Sequence, residues 1–333
     1  MLLSICIPSY NRFNHLIELV ESVLLAKSTD FEVVVVDNGS SQDIEEILLI
    51  NDTRVRIIKR EVIVKGPTSV RLALDYAVGT YAMICLDKDF ILGDKLDYFL
   101  DELKKLENIA CGYCNLNTES EVDNFVISSE MYKNIYRCGH PSGVFFRTEY
   151  IKNEAKELDL LNAESIYFNN PFLIDLLYAK CLCDGKQAVY GGALVKTETM
   201  DEAARQKSHS YSKKDNNIYF FPENRVKQFW IFLEHLKLLS IRREDFLKIY
   251  ERLLSKTMYE ISVGYAKIMR NKALCEHHGI SIQKVKKQEI LRNIKTFTND
   301  LLNSEIQDGD KETLKKIIYK NYLIISIKVL MYF

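Results

Sequence analysis

Two carboxylates two positions apart, Asp87 and Asp89, close the apolar run Tyr81-Ala82-Met83-Ile84-Cys85-Leu86. Side chains at i and i+2 of an extended segment point the same way, so the pair can converge on one hard divalent cation. Magnesium or manganese held by one or two carboxylates completes its shell with water and substrate phosphate. The same residues also suit a plain strand-end turn, where Asp is favoured for local hydrogen bonds. An isolated Asp-x-Asp decides nothing between these readings; its context does. Two further polar clusters supply that context, Pro8-Ser9-Tyr10-Asn11-Arg12 and Asp37-Asn38-Gly39-Ser40-Ser41.

All three clusters follow short apolar runs. Leu3 to Ile7, Phe31 to Val36, Val55 to Ile58 and Tyr81 to Leu86 read as strands, the last buried on both faces. Between them the apolar spacing is helical: Leu16, Leu19, Val20, Val23 and Leu24 with Asn14 as N-cap, then Ile44, Ile47 and Leu48, then residues 68–78. This β-α-β-α-β-α-β alternation predicts a mostly parallel sheet with right-handed crossovers. Ligands in such sheets bind at the carboxyl ends of strands, where the clusters lie. Neither a Gly-x-Gly-x-x-Gly turn nor a Gly-x-x-x-x-Gly-Lys-Ser/Thr phosphate loop is present, which removes two common nucleotide folds.

Composition narrows the field further. Across 333 residues, 45 basic and 46 acidic side chains nearly cancel, which argues against a nucleic-acid partner bound through its phosphates. The first eight residues lack a basic n-region and a cleavage site, so they read as a strand rather than a leader. No stretch has the apolar length of a spanning helix. Eight cysteines in a chain this long do not make a small secreted disulfide framework, which points to a reducing cytosol. Cys111-Gly112-Tyr113-Cys114 and Cys181-x-Cys183 lack the flanking pattern of a zinc module.

Taken together, Ile5-Cys6-Ile7-Pro8-Ser9-Tyr10-Asn11-Arg12, Val35-Val36-Asp37-Asn38-Gly39-Ser40 and Leu86-Asp87-Lys88-Asp89 resemble the family 2 glycosyltransferases of the GT-A fold. Gly66 to Leu74 is similar to that family's segment before the metal-binding strand, with Leu72 where Asn is usual. The resemblance covers residues 1–100 strongly and 135–200 loosely. It implies an α/β, Rossmann-like, mostly parallel sheet flanked by helices, with a catalytic domain over 1–221. Residues 1–105 would be its nucleotide-sugar half and 106–221 its acceptor half. It also implies that Pro8, Tyr10 and Asp37 hold the base and ribose, and that Arg12 belongs to the same site. Arg71 would reach pyrophosphate or base through its planar donor fork, unless it sits on a solvated helix face. Asp87 and Asp89 would bind Mn2+ or Mg2+ across the diphosphate.

The acceptor half carries fewer signals. Leu96 to Leu106 reads as an amphipathic helix capped by Asp94, whereas 107–135 shows little pattern. The turn His140-Pro141-Ser142-Gly143 resembles the family's acceptor loop, with His140 and Ser142 as acceptor-binding residues; His140 serves equally as a turn histidine. Asp175, the one carboxylate between Glu164 and Asp184, is the candidate general base, or else a helix-start cap. The family's usual acidic pair is absent there, with Asn169, Asn170 and Pro171 in its place. Ala188 to Val195 reads as the last strand. In Arg205 to Tyr211, Arg205 or Lys207 would meet phosphate and His209 the metal, unless the segment is an ordinary loop.

From Pro222 the pattern is helical to the end, a bundle over 222–333. Residues 314–333 are apolar, basic and free of acids; Lys320 and Lys328 disfavour spanning, leaving an interfacial membrane contact or plain packing. The function implied is transfer of one sugar from a nucleotide-sugar to an undecaprenyl-diphosphate-linked oligosaccharide, as in O-antigen assembly. The reaction would sit at the cytoplasmic face of the inner membrane. Within the family the chain looks most like abequosyltransferases, which implies CDP-abequose as donor, with UDP-, GDP- or dTDP-sugars otherwise. A nucleotidyltransferase and an inactive GT-A scaffold are the rival readings.

Overall fold

The buried apolar runs near the start of the chain form a parallel sheet core. β1 (Leu3–Ser9), β2 (Phe31–Asp37), β3 (Val55–Lys59) and β4 (Tyr81–Ile84) pair in the order β3-β2-β1-β4, all parallel. Ile5 stands opposite Val33 on one side and Met83 on the other. The computed structural model describes residues 1–48, 50–64, 66–116, 124–128, 140–152, 173–198, 220–277, 279–304 and 311–333. These fall into two units, Met1–Glu198 and Thr199–Phe333. The expected division at residue 222 adjoins a segment, 199–219, that lies outside the described residues.

Strand alternation divides the core into two faces. Leu3, Ile5, Ile7, Phe31, Val33 and Val35 join one apolar cluster with the inward stripes of α1 (Phe13–Leu24), α2 (Ile44–Leu48) and α4 (Gly93–Lys104). On the opposite side, α3 (Gly66–Ala73) packs on β1 and against α5 (Leu173–Asp184), which covers β6 (Ile109–Leu116). Asn14 and Asp94 fall inside the first turns of α1 and α4 rather than capping them. The N-cap positions belong to Arg12 and Leu92, neither with a side-chain cap hydrogen bond.

The second half of the sheet is mixed. β8 (Val144–Arg147) runs antiparallel between β4 and β6, and β9 (Lys186–Lys196) is parallel to β6. β5 (Phe90–Ile91) and β7 (Phe125–Ser128) both add antiparallel to β9. β6 and β7 fall in the stretch that carries little sequence pattern. Gly112 in β6 follows from what crosses it: a Cβ there would lie 2.2 Å from the Ala188 carbonyl oxygen and 2.3 Å from the Phe145 ring. Phe145 packs edge-on to Phe99, while Phe146, its neighbour in β8, meets Tyr178 on the other face.

A second close approach fixes α4. A Cβ on Gly93 would lie 1.9 Å from the Ser22 carbonyl oxygen, and the Ser22 hydroxyl donates to the Ile91 carbonyl at 2.7 Å. Gly93→Ala is therefore expected to cost about 1–3 kcal/mol through overpacking. Thermal melts superimposable on the wild type would show that α1 and α4 do not approach this closely.

The second unit is helical. α6 (Pro222–Leu238), α7 (Arg243–Tyr259), α10 (Lys287–Asn303) and α11 (Lys311–Tyr332) are its long members, with the short α8 (Tyr265–Ile268) and α9 (Lys272–His277) between α7 and α10. Between α7 and α8 the helical run is interrupted by a π-turn at Glu260–Gly264. There Ser262 adopts φ −123° and ψ −106°, and its hydroxyl donates back to the Met258 carbonyl. Such back-bonding loosens the helical ladder.

Candidate active site

The first two strand-end loops are sewn together by Asn and Ser. The Asn38 amide donates to the Ser9 carbonyl at 2.9 Å, and the Asn11 amide to the Ser40 hydroxyl at 2.9 Å. Asn11 Oδ1 accepts from both the amide and the hydroxyl of Ser41. Two left-handed residues make these turns, Asn11 at φ 54° and Gly39 at φ 85°. Asn tolerates that region unusually well, and Gly does so without cost. Asp37 is buried at the tip of β2, where its Oδ1 accepts the Ser40 amide at 3.0 Å.

Asp87 meets the first of these loops. Its Oδ2 accepts the Ser9 hydroxyl at 3.1 Å and the Tyr10 amide at 3.4 Å, and Arg12 Nη1 lies 3.6 Å from Oδ1. Burial pushes the Asp87 carboxyl above its usual range, opposed by Arg12, the Ser9 hydroxyl, the Tyr10 amide and His15. Asp89 looks elsewhere. Its Oδ2 accepts from His140 Nε2 and from the Ser142 hydroxyl, and its Oδ1 from the Glu198 amide at 3.1 Å. Burial raises Asp89, but the bonds and charge of His140, with Ser142 and the Glu198 amide, outweigh it and hold the carboxyl below its usual range.

The two carboxylates therefore do not project together from an extended strand. β4 ends at Ile84, and the Asp89 amide donates to the Leu86 carbonyl at 3.0 Å, closing a turn over Leu86–Asp89. Each acid takes its own set of donors. The set still fits a divalent ion: ligating carboxylates are ordinarily oriented by outer hydrogen bonds, and three donors leave Asp89 part of its lone-pair capacity. Among the described residues no three His, Cys, Asp or Glu side chains converge on one point. That suits an ion which takes the rest of its shell from water and phosphate.

The other expected site residues are placed unevenly. Tyr10 is half-exposed beside Asp87, so its ring has an open face, whereas Pro8 is buried within β1 opposite Val36 and frames the floor without offering a surface. Ser142 is buried; its hydroxyl serves Asp89 and accepts the Leu86 amide at 2.9 Å, so it positions the turn and is not presented to an acceptor. His140 is engaged by Asp89. Arg71 is fully buried on α3, not on a solvated face, and its Nη1 pairs with Asp75 at 2.7 Å. Asp175 stands half-buried in the first turn of α5. Lys207 and His209, like Asn169, Asn170 and Pro171, lie outside the described residues.

Sequence reasoning missed one pair. His15 Nε2 in α1 lies 3.4 Å from Glu198 Oε1 just past β9, with both side chains buried. Since the Glu198 amide also holds Asp89, this pair ties α1 to the turn that carries Asp89. No local pattern could announce a contact between residues so far apart in the chain. Cys111 and Cys114 are free thiols on opposite faces of β6, Cys114 in the apolar cluster and Cys111 facing the Tyr178 carbonyl, so they do not form a zinc half-site.

With this geometry in view, known proteins place the N-terminal unit. Residues 4–162 match the family model described as Glycosyl transferase family 2. The chain is 30% identical over 145 residues to WfgD of Escherichia coli, a UDP-Glc:alpha-D-GlcNAc-diphosphoundecaprenol beta-1,3-glucosyltransferase, covering 41% of this chain and 56% of WfgD. Glycosyltransferases of two Rickettsia species are matched over 20% of their own length. Staphylococcus aureus TarS 1-349, solved with UDP, superimposes with a TM-score of 0.54 at 15% identity, covering 99% of this chain and 92% of that one. A mannosyltransferase of Pyrobaculum calidifontis, solved with GDP-Man and Mn2+, gives a TM-score of 0.50 at 12% identity, covering 98% and 86%. These likenesses support a GT-A fold. Over residues 4–162, from β1 to just beyond β8, the chain is similar to glycosyl transferase family 2.

Proposed function

We propose that the chain transfers a single sugar from a nucleotide-sugar to a lipid-linked oligosaccharide in bacterial polysaccharide assembly, at the cytoplasmic face of the inner membrane. The observation that carries this reading is the β1 loop held between two partners: Asp87 takes its Ser9, Tyr10 and Arg12, and the β2 loop bonds its Ser9 and Asn11. That edge presents an open aromatic ring, a buried carboxylate on β2 and a guanidinium together. WfgD, whose acceptor is diphosphoundecaprenol-linked, supports a lipid-linked acceptor here.

In this reading Tyr10 stacks on the nucleotide base and Asp37 accepts hydrogen bonds from base or ribose. Arg12, already beside Asp87, donates to the diphosphate, and Arg71 would join it only by exchanging Asp75 for phosphate. Asp87 and Asp89, with His209, would hold Mg2+ or Mn2+, which supplies positive charge against the departing nucleoside diphosphate. Asp175 takes the proton from the acceptor hydroxyl as that oxygen attacks the anomeric carbon. Lys207 adds a phosphate contact, and His140 contacts the acceptor side.

Titration calorimetry with UDP, CDP, GDP and dTDP, each with and without Mn2+, tests the site. The expected result is manganese-dependent binding of one nucleotide, followed by transfer from its sugar; CDP-abequose is one donor arm beside UDP-, GDP- and dTDP-sugars. Binding of none of the four would overturn the reading in favour of an inactive scaffold.

A further inference from the structure

The last helix, α11, is apolar on the side that should be polar. Its inward stripe is Leu314, Ile318, Asn321, Ile325 and Val329, all buried within the second unit. A bundle helix packed this way ordinarily turns charged residues outward. Here the opposite face carries Tyr319, Leu323, Ile324, Ile327, Leu330 and Met331, between 42% and 83% exposed. Scattered exposed apolar side chains are normal, but a continuous row along one helix marks a contact surface. Plain packing accounts for the inner stripe only.

Charge identifies what meets the outer one. Lys316 and Lys320 share the outward side at the N-terminal end of the row, and Lys328 flanks it; all three are exposed. Lys320 also pairs with Glu251 at 2.7 Å, which holds it along the helix rim. No acid follows Glu312 in the chain. A second copy docked through the same face would bring lysines without carboxylates to receive them. An anionic bilayer surface offers both what the row lacks: apolar depth for the side chains and negative headgroups for the lysines. No described helix is long and apolar enough to cross a membrane, so the contact is parallel to the surface.

We propose that the outward face of α11 is a docking surface for an anionic lipid bilayer, with Leu323, Ile327 and Leu330 entering the headgroup boundary and Lys316 and Lys320 engaging phosphate. This deepens the lipid-linked-acceptor reading by naming the surface that would bring the protein to its acceptor, and rests on α11 rather than on the catalytic residues.

Co-sedimentation of the full chain with vesicles of phosphatidylglycerol and phosphatidylcholine, against phosphatidylcholine alone, tests it. The wild type should bind the anionic vesicles and not the neutral ones. Leu323→Ser/Ile327→Ser/Leu330→Ser should lose at least about tenfold in affinity from the deleted apolar area. Lys316→Gln/Lys320→Gln should lose about fivefold per lysine. All these side chains are exposed, so unchanged melting temperatures are expected in both variants. Equal binding to the two vesicle types, or binding indifferent to the triple variant, overturns the proposal. So does a wild-type dimer, seen by light scattering, that the triple variant dissociates without any vesicle binding. Calorimetric nucleotide binding, measured on the same samples, keeps the two readings apart: its loss would sink the catalytic proposal and leave this one standing.

Discussion

Asp87→Asn is expected to reduce sugar transfer by about 10²–10³-fold, several kcal/mol of lost charge stabilisation at the leaving diphosphate, while raising the thermal midpoint at neutral pH. The two effects have one origin. Folding buries Asp87 and lifts its carboxyl above the usual range despite Arg12, Ser9 and the Tyr10 amide. A carboxyl whose affinity for a proton rises on folding stabilises the protein most below its unfolded pKa. That contribution is lost as pH rises through the folded value, so at pH 7 the ionised group opposes the fold. The neutral amide removes the opposition. The gain should shrink as the pH is lowered into the carboxylate range, where wild-type Asp87 itself takes up a proton. Melts at a series of pH values, beside transfer rates, check both halves; an Asn variant less stable than the wild type at pH 7 contradicts the burial argument. A site that weakens the fold in order to hold charge is the familiar trade between stability and activity.

Asp89→Ala is expected to act in the opposite direction on stability. It strips the acceptor from His140, from the buried Ser142 hydroxyl and from the Glu198 amide at once. Removing one partner from such a buried cluster costs about 3–5 kcal/mol, which lowers the thermal midpoint by about 10 °C in a domain of this size. Asp89 lies below its usual carboxylate range, so its contribution is present above the unfolded pKa. It disappears as pH falls through the folded value, and wild type and variant should converge in acid. Asp89→Asn keeps one carbonyl oxygen for these donors and should fall between them. An Ala variant as stable as the wild type would show that the His140–Ser142 turn and Glu198 are held by something else.

The contrast between these two acids shows where sequence reading succeeds. Asp87 and Asp89 are singled out by an apolar run that stops in acids, read together with the polar clusters after β1 and β2. Their separate partners are not. The i, i+2 argument assumes extended backbone, and the hydrogen bond from the Asp89 amide to Leu86 replaces it with a turn. Ser9, Asn11, Asn38 and Ser40 sit in the motifs, yet the stitching they perform needs the two loops side by side. The parallel pairing of β1 and β2 supplies that, with Ser9 opposite Asp37. Arg71 is the sharper lesson: a cation on a helix can sit on a solvated face, and this one is enclosed beside Asp75 instead.

By itself, the order of residues determined β1 to β4 and the helices between them. Runs such as Phe31 to Val36 bury whichever neighbour they find, and period 3.6 or 2 is written locally. It also determined that polar clusters must crowd one sheet edge. Only the tertiary structure decided β6 and β7: Gly112 answers to Phe145 and Ala188 across the sheet, and β7 pairs with β9. The joining of His15 to Glu198, and the side of α11 left apolar and open, were decided the same way. Local periodicity records which face of an element is greasy; contact between distant segments depends on what the rest of the chain brings to that face.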